Sequence, residues 1–384
     1  MDDVRETSAW VATHSSHVLV DSSDSRVNNA GIEKVVENIQ GSIPKVEWDY
    51  EGIHYFDNGP LSVQYLFVLD AMNFCFWPDK DLNYDHLALG LKAALQNDKS
   101  AFDADRLQKY TEEINTELLA QDNRANYEDG NIFSTAFLGA CFTSSFVSGV
   151  AGKKDESNLL VSGPELRELL KWPRPLPLED ERVRLLHEVG FELERNFGGK
   201  ASNLVELCGK SAAKLVALVT RHFAGFRDHS VYKGHQVFLY KRAQIFVADL
   251  WGAFKGQGYG EFYDIGSITM FADYVVPAVL EQLGVLKYSS RLANIIETNN
   301  EISSGSEEEV ELRACSVYAV EKMRELIRIK SGKQCGTGPL ALVCWRPMPS
   351  STTPSDALNL LLTAQHDIVV ACYIFAGGNL EMLA

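Results

Sequence analysis

Asp273 lies in the middle of ITMFADYVVP (268–277), a stretch that has no other charged side chain. An ionised carboxylate among buried residues is unfavourable unless a partner stabilises it, and burial alone raises its pKa. Pro277 fits the first turn of a following helix, so we expect the chain to break or bend near Asp273. A carboxylate at such a break, flanked by Phe271 and Tyr274, is typical of a catalytic base or nucleophile, and a structural cap is an equally weighted alternative.

Lys241, Arg242 and Asp249 lie in a second, largely apolar segment, FLYKRAQIFVADLWGAF (238–254), which has helical periodicity. Arg242 and Asp249 are seven residues apart and therefore share one face of such a helix. A buried lysine at this place can hold a substrate phosphate or pair with Asp273. For Arg242 and Asp249, a structural ion pair that fixes the helix is the favoured alternative.

Asp70 and Asn73 are the polar members of a third segment, VLDAMNFCFW (68–77). On a helix, their three-residue offset would place them on one face with Phe74 and Trp77 alongside. A carboxylate, an amide and aromatic planes together suit a flat heterocycle, because its rings stack and its edges form hydrogen bonds. Composition alone favours the alternative that the aromatic side chains belong to the core and that Asp70 is a satisfied internal cap.

Helical periodicity dominates the elements that must position these residues, and it predicts a mainly α protein with few short strands. Val237–Tyr240 is a candidate strand, and Gly198 and Gly199 are plausible helix stops. The clearest helical segments are 31–39, 85–95, 181–197, 211–223 and 310–329.

The charge balance of the 384-residue chain bears on its partners. Lys and Arg number 36 and Asp and Glu number 52, which gives a formal charge of −16. Binding to a nucleic-acid polymer depends largely on basic contacts, so we expect a small-molecule substrate and no direct nucleic-acid polymer.

The seven cysteines are scattered and form no CxxC pair, which favours reduced thiols and a cytoplasmic location. No signal peptide is visible, and the uncharged stretch 132–152 is too rich in Ser, Thr and Gly for a good membrane span. HExxH, P-loop and GxSxG motifs are absent from the sequence. We interpret the doublet Asp228-His229 as incidental.

Five segments, LDAMNFCFW, FRDH, YKRAQIFVADLW, SITMFADYVVP and EVELRACSVYAVEKMREL, together resemble the queuosine salvage proteins, the queuosine 5'-phosphate N-glycosidases. The resemblance is clearest over 181–328 and returns at 25–39 and 68–95. It implies a single, mainly α-helical domain similar to DNA glycosylases. It also implies hydrolysis of queuosine 5'-monophosphate to queuine and ribose 5-phosphate, without a metal or another cofactor. The freed queuine can then be reinserted into tRNA.

The resemblance also implies roles for individual residues. The family's catalytic carboxylate falls on Asp273 and its active-site lysine on Lys241. For Asp70 and Asp249, base recognition and structural support both stay open. The positions expected to contact the substrate are Asp70, Asn73, Phe74, Trp77, Asp249 and Tyr274.

The implied reaction gives the carboxylate a purpose. Cleavage of an N-glycosidic bond builds positive charge on C1' and the ring oxygen, which a fixed carboxylate stabilises while it also activates water. Direct attack of Asp273 on C1' is the open alternative. A 7-deaza base has carbon in place of N7, so hydrogen bonds at its pyrimidine edge, from Asn73 and one of the aspartates, must assist its departure.

Two stretches depart from the family pattern. We interpret about 112–162 as a poorly ordered insert in a domain that spans 1–330, and 331–384 as an atypical C-terminal tail; both resemble translated non-coding sequence. A tail that lacks the family's closing motifs leaves an alternative function, a non-catalytic helical queuosine- or nucleotide-binding protein that has lost turnover. A third possible function is that of a nucleoside hydrolase or DNA glycosylase of other specificity. The acidic charge of the chain disfavours DNA as the substrate.

Overall fold

The computed structural model of the protein describes residues 1–20, 30–39, 52–76, 79, 81–108, 162–273, 275–298 and 300–331. These residues are mainly helical, as the sequence predicted. The helices are α1 (Asp2–His14), α2 (Ala30–Ile39), α3 (Pro60–Met72), α4 (Tyr84–Asn97), α5 (Ala104–Gln108), α6 (Gly163–Leu170), α7 (Glu179–Phe197), α8 (Ala201–Leu207), α9 (Ala212–His222), α10 (Lys241–Ala253), α11 (Val275–Gln282), α12 (Ser290–Glu297) and α13 (Glu307–Ser331).

Four short strands form two antiparallel pairs among the described residues. Strand β1 (Val18–Val20) pairs with β4 (Leu286–Tyr288), and β2 (His229–Tyr232) pairs with β3 (His235–Phe238). The candidate strand Val237–Tyr240 was therefore half right, because only its first two residues lie in β3. The last two lead directly into α10.

Helix α3 forms the centre of the core. Every residue from Ser62 to Met72 is buried, because its sequence is apolar around most of the helix and neighbours cover all its sides. Helices α7, α8 and α10 pack against it. The ring of Phe67 stacks on Phe226 at 5.2 Å between centroids and lies 4.9 Å from Phe246 of α10. Helices α3 and α10 are thus fixed to each other by packed aromatic rings.

Helix α13 packs against α1, α2 and α11. Its fully buried Glu311 accepts hydrogen bonds from the N–H groups of His17 (2.6 Å) and Val18 (2.9 Å) and from the hydroxyl of Tyr232 (2.6 Å). One carboxylate therefore ties β1 and the β2–β3 hairpin to α13.

One prediction about local structure was wrong. Helix α3 ends at Met72, and Asn73 is its C-cap with φ −81° and ψ 73°, so Asn73 and Phe74 do not continue a helical face with Asp70. The interpretations of an insert at about 112–162 and of a tail at 331–384 concern stretches of which 112–161 and 332–384 lie outside the described residues, and both stay predictions, as does the likeness to DNA glycosylases. Within the described ranges, none of the helices has the length and apolar character needed to cross a bilayer.

Candidate active site

Lys241 and Asp273 face each other. The lysine Nζ lies 3.9 Å from Oδ2 of Asp273, and the two side chains are 15% and 10% exposed. Lys241 is the first residue of α10, and Tyr240 before it adopts the left-handed conformation with φ +52°. Such a conformation in a non-glycine residue is strained, and strain of this kind is common at functional sites. The sequence had placed both residues in the site, and the structure brings them together.

Asp273 occupies the chain break that the sequence predicted. The chain before it is not helical, α11 begins at Val275, and Pro277 lies in the first turn of that helix. The Oδ1 atom of Asp273 accepts a hydrogen bond of 3.0 Å from the backbone N–H of Val276. The carboxylate is therefore both a helix cap through Oδ1 and a partner of Lys241 through Oδ2. A position at a helix N-terminus further stabilises its negative charge.

The pKa of Lys241 lies below its ordinary value. Burial is the main cause, since it disfavours the charged ammonium group. The carboxylates of Asp273 and Asp228 oppose this effect, and the positive charges of Arg313 and Arg242 reinforce it. The protonation of this lysine thus depends on a balance between two nearby acids and two nearby arginines.

Asp228 is a site residue that the sequence interpretation missed. Its carbonyl accepts hydrogen bonds of 3.0 Å from the N–H groups of Leu239 and Tyr240, and its Oδ2 accepts one of 2.9 Å from the N–H of Lys241. Burial raises the pKa of Asp228, but the charge and hydrogen bond of Arg313 outweigh it and hold the pKa below its usual value. The sequence interpretation set the Asp228-His229 doublet aside as more incidental than metallic; in the structure, Asp228 fixes the start of α10 through these hydrogen bonds.

Arg313 of α13 connects the two halves of the site. Its Nη2 donates to Oδ2 of Asp228 at 2.5 Å, and its Nε donates to the carbonyl of Ala272 at 2.8 Å. Its Nη1 pairs with Glu309 at 3.0 Å. We call Asp228, Lys241, Asp273 and Arg313 the lysine bracket. Only the FRDH and EVELRACSV segments hinted at Asp228 and Arg313, and no spacing rule singled them out.

Gln244 gives the bracket a further attachment. This fully buried amide donates through Nε2 to the carbonyl of Leu239 (2.9 Å) and accepts at Oε1 from the N–H of Thr269 (2.8 Å). It therefore joins the start of α10 to the segment that ends at Asp273.

A second polar group, which we call the carboxyl cluster, consists of Asp70, Asn73 and Asp249. Asp70 and Asn73 are completely buried. Apart from the Asp249 carboxyl, no group of the described residues forms a hydrogen bond with the Asp70 carboxyl. Burial, and then the charge of Asp249, raises the pKa of Asp70 well above its ordinary value, although Arg242 opposes this. The raised pKa favours the protonated form of Asp70, which allows the two carboxyl groups to share one proton.

Asn73 is unusual among the buried amides. Within the described part of the chain, neither its Oδ1 nor its Nδ2 has a hydrogen-bond partner. A buried amide without partners is unfavourable, which is typical of a group that a ligand completes. Helix α10 joins the cluster to the bracket. Asp249 follows Lys241 by eight residues, which is about 12 Å along the helix axis.

Arg182 of α7 shapes the chain after α3. Its guanidinium donates to the carbonyls of Met72, Phe74 and Cys75, the last two at 2.6 Å, and lies 4.5 Å from the centroid of the Phe74 ring. Cys75 adopts a left-handed φ of +38° in this turn. The sequence did carry a signal for Arg182, since it falls on the apolar stripe that includes Leu185 and therefore had to be buried.

Arg242 also contacts this region. The sequence favoured an Arg242–Asp249 ion pair, but in the structure the two terminal nitrogens of Arg242 donate to the backbone carbonyls of Ala71 and Gly225. Its guanidinium lies 5.0 Å from the Phe74 ring centroid. Arg242 thus ties α10 to the end of α3.

Two residues that were predicted to contact the substrate, Trp77 and Tyr274, lie outside the described residues. The described candidates form two groups, Lys241 with Asp273 and Asp70 with Asp249, and Phe74 lies beside the cation of Arg242.

Comparison with known proteins gives consistent results. A family model described as "Queuosine salvage protein" matches residues 53–129 and 121–343. A protein of Dictyostelium discoideum is 38% identical over 84% of this chain and 86% of its own length. Proteins of Sphaerobacter thermophilus and Bos taurus are 34% and 33% identical over 73% and 86% of the chain, and 74% and 88% of their own lengths. All three are named queuosine 5'-phosphate N-glycosylase/hydrolase.

Proposed function

Because the chain belongs to the queuosine salvage protein family, we propose that it hydrolyses the N-glycosidic bond of queuosine 5'-phosphate and releases queuine. The observation that carries this proposal is the contact of 3.9 Å between Lys241 and Asp273, a cation and a carboxylate that are both nearly buried. Such a pair meets the two needs of the substrate, which are an anion near C1' and a cation near the phosphate.

Asp273 is the proposed catalytic carboxylate. As the base departs, positive charge develops on C1' and the ring oxygen, and a preorganised carboxylate stabilises it. The hydrogen bond from Val276 to Oδ1 fixes the orientation of the group, so that no reorganisation is required during the reaction. The same carboxylate can accept a proton from the attacking water.

Lys241 is the proposed binding group for the 5'-phosphate. An ammonium at this position attracts the dianion and lies within 3.9 Å of the Asp273 carboxylate. Its lowered pKa makes substrate binding dependent on pH, since only the protonated lysine offers a positive charge.

The carboxyl cluster is the proposed base-recognition group. The pyrimidine edge of a deazaguanine presents N–H donors and a carbonyl acceptor, which complement the oxygens of Asp70 and Asp249 and the amide of Asn73. A hydrogen bond that the Asn73 amide donates to the base carbonyl stabilises the negative charge that the departing base acquires. Phe74 supplies an aromatic surface, and the resemblance adds Trp77 and Tyr274 to the proposed wall.

We place the reaction in the cytoplasm and expect a free nucleotide as the partner. The described cysteines Cys208 and Cys315 are free thiols, in keeping with a reducing compartment. The formal charge of −16 disfavours a nucleic-acid polymer and favours the cationic side chain of queuine.

The decisive experiment incubates the full-length protein with queuosine 5'-phosphate and measures free queuine by mass spectrometry. We expect release by the natural chain and a loss of about 10²–10⁴-fold in Asp273→Asn. Asp264→Asn is the matched control, because Asp264 also accepts from a backbone N–H near a helix start, that of Ala212 at 2.6 Å. Substrate bound without release would favour the binding protein that has lost turnover, and near-normal turnover in Asp273→Asn would remove that residue from catalysis.

A further inference from the structure

Arg313 bonds directly to Asp228 and to Ala272, which in turn adjoin Lys241 and Asp273. One guanidinium group donates to the Asp228 carboxylate at 2.5 Å and to the Ala272 carbonyl at 2.8 Å. Asp228 in turn accepts from the N–H of Lys241, and Ala272 immediately precedes Asp273. A single side chain is thus one contact away from each member of the proposed catalytic pair.

We propose that Arg313 is a positioning residue that holds Lys241 and Asp273 in register and offsets the negative charge of Asp228 near the lysine. This inference rests on the proposed function for its effect on turnover, but its structural part concerns the chain alone. Arg313 itself need not touch the substrate.

The geometry of the guanidinium explains why an arginine is required. Its nitrogens lie in a rigid plane, so the donors to Asp228, Ala272 and Glu309 have fixed mutual directions. A lysine offers one ammonium on a flexible chain and cannot reach the three acceptors with the same precision. Because Asp228 accepts from the N–H of Lys241 and Ala272 precedes Asp273 in the chain, a shift at the guanidinium changes the distance between Lys241 and Asp273.

Charge provides the second part of the argument. Among the described residues, the charged groups that act on Lys241 are Asp273 before α11, Asp228 before β2, Arg313 on α13 and Arg242 on α10 itself. Arg313 opposes protonation of the lysine directly, and it also neutralises Asp228. Removal of the Arg313 charge therefore raises the pKa of Lys241 by both routes.

The test compares Arg313→Gln, Arg313→Lys and a control, Arg324→Gln. Arg324 lies on the same helix and donates to the carbonyl of Gly266 at 2.6 Å, in the chain that leads to Asp273. It has no contact with the bracket in the described part of the chain. For Arg313→Gln we expect a loss of kcat of about 10²-fold, the size associated with misplaced catalytic groups. We also expect the fall of kcat/KM at high pH to move to higher pH.

Arg313→Lys separates position from charge and is the variant more apt to keep the fold. Its loss of kcat should be nearly as large as that of Arg313→Gln. The pH at which kcat/KM falls should stay near that of the natural chain, because the positive charge is retained. Arg324→Gln should change neither quantity by more than about twofold. Thermal unfolding of each variant verifies that the compared proteins are folded.

A measurement without turnover distinguishes failure of this inference from failure of the proposed function. The titration of Lys241, followed by NMR in protein labelled with isotopic lysine and assigned with Lys241→Arg, should move to higher pH in Arg313→Gln but not in Arg324→Gln. That shift would support the inference even if the natural chain released no queuine. An unmoved titration, or equal turnover in Arg313→Gln and Arg324→Gln, would overturn it.

Discussion

The lysine bracket and the carboxyl cluster are both buried polar groups, but they differ in how their hydrogen bonds are satisfied. In the bracket, Asp228 accepts from Arg313 and from the chain at Lys241, and Asp273 accepts from Val276. In the cluster, Asn73 has no partner among the described residues, and the carboxyl of Asp70 meets only that of another acid.

The difference indicates two tasks. Groups that must be rigid during a reaction are held by the protein before the substrate arrives, because preorganisation avoids reorganisation in the transition state. Groups that recognise a ligand are most selective when their partners are missing until the correct ligand supplies them. In the proposed function, the cluster destabilises the free protein and recovers that free energy when the base binds, whereas the bracket stabilises the fold with and without substrate.

The largest expected effect comes from the same substitution in both regions. Asp228→Asn leaves Arg313 with Glu309 as its only carboxylate partner among the described residues and should lower the free energy of unfolding by about 3 kcal/mol. Asp70→Asn replaces a buried carboxyl that is costly to ionise beside Asp249 with an amide that can donate to Asp249, so it should leave stability unchanged or raise it. Urea denaturation at neutral pH measures both. Equal destabilisation by the two variants would erase the distinction between bracket and cluster.

Lys241→Ala tests whether one bracket residue keeps a contact for the ligand. A charge-assisted hydrogen bond contributes about 1.5–3 kcal/mol, so kcat/KM for queuosine 5'-phosphate should fall about tenfold to hundredfold further than that for the plain nucleoside. Steady-state assays with the two substrates give the comparison. Equal losses would contradict a phosphate role and leave Lys241 as a partner of Asp273 alone.

Two buried amides offer a matched comparison of intermediate size. Gln244→Met removes two hydrogen bonds and leaves the Thr269 N–H and the Leu239 carbonyl without that partner, so it should cost about 1–3 kcal/mol of stability. Asn73→Leu breaks no hydrogen bond that the described residues provide, so its stability should be close to that of the natural chain while its KM rises. Thermal unfolding with parallel kinetics checks both. A marked loss of stability in Asn73→Leu would mean that the amide is structural.

Much of the fold and the proposed catalytic pair followed from local patterns in the sequence. The helices that contain 181–197 and 310–329 were predictable because apolar periodicity is a property of one segment. Asp273 was conspicuous because it was the only charge in an apolar run, and Pro277 marked the start of the next helix.

The residues that were missed act over long distances in the chain. Arg313 meets Asp228 across 85 positions, and Arg182 meets Met72 across 110. No local spacing encodes such a contact: the apolar stripe of α7 indicated that Arg182 is buried but not which carbonyls it meets, and no spacing rule singled out Arg313. The end of α3 at Met72 was missed for a related reason, since the turn there depends on carbonyl contacts with Arg182.

The smallest effect concerns the pH dependence of stability, and it distinguishes the cluster from the bracket by sign. The pKa of Asp70 in the folded chain is raised above its ordinary value of 3.8 by burial first and by Asp249 next, so the folded state keeps a proton that the unfolded state releases. Stability should therefore fall as pH rises from about 4 towards the folded pKa, by at most about 1.4 kcal/mol per pH unit. Asp228 has a lowered pKa and contributes in the opposite sense, since its stabilisation is lost as pH falls below 3.8. The difference in unfolding free energy between Asp70→Asn and the natural chain should consequently grow from pH 4 upwards and then level off. A difference that is independent of pH would show that Asp70 is ionised in the folded protein throughout this range, and the shared proton of the cluster would have to be abandoned.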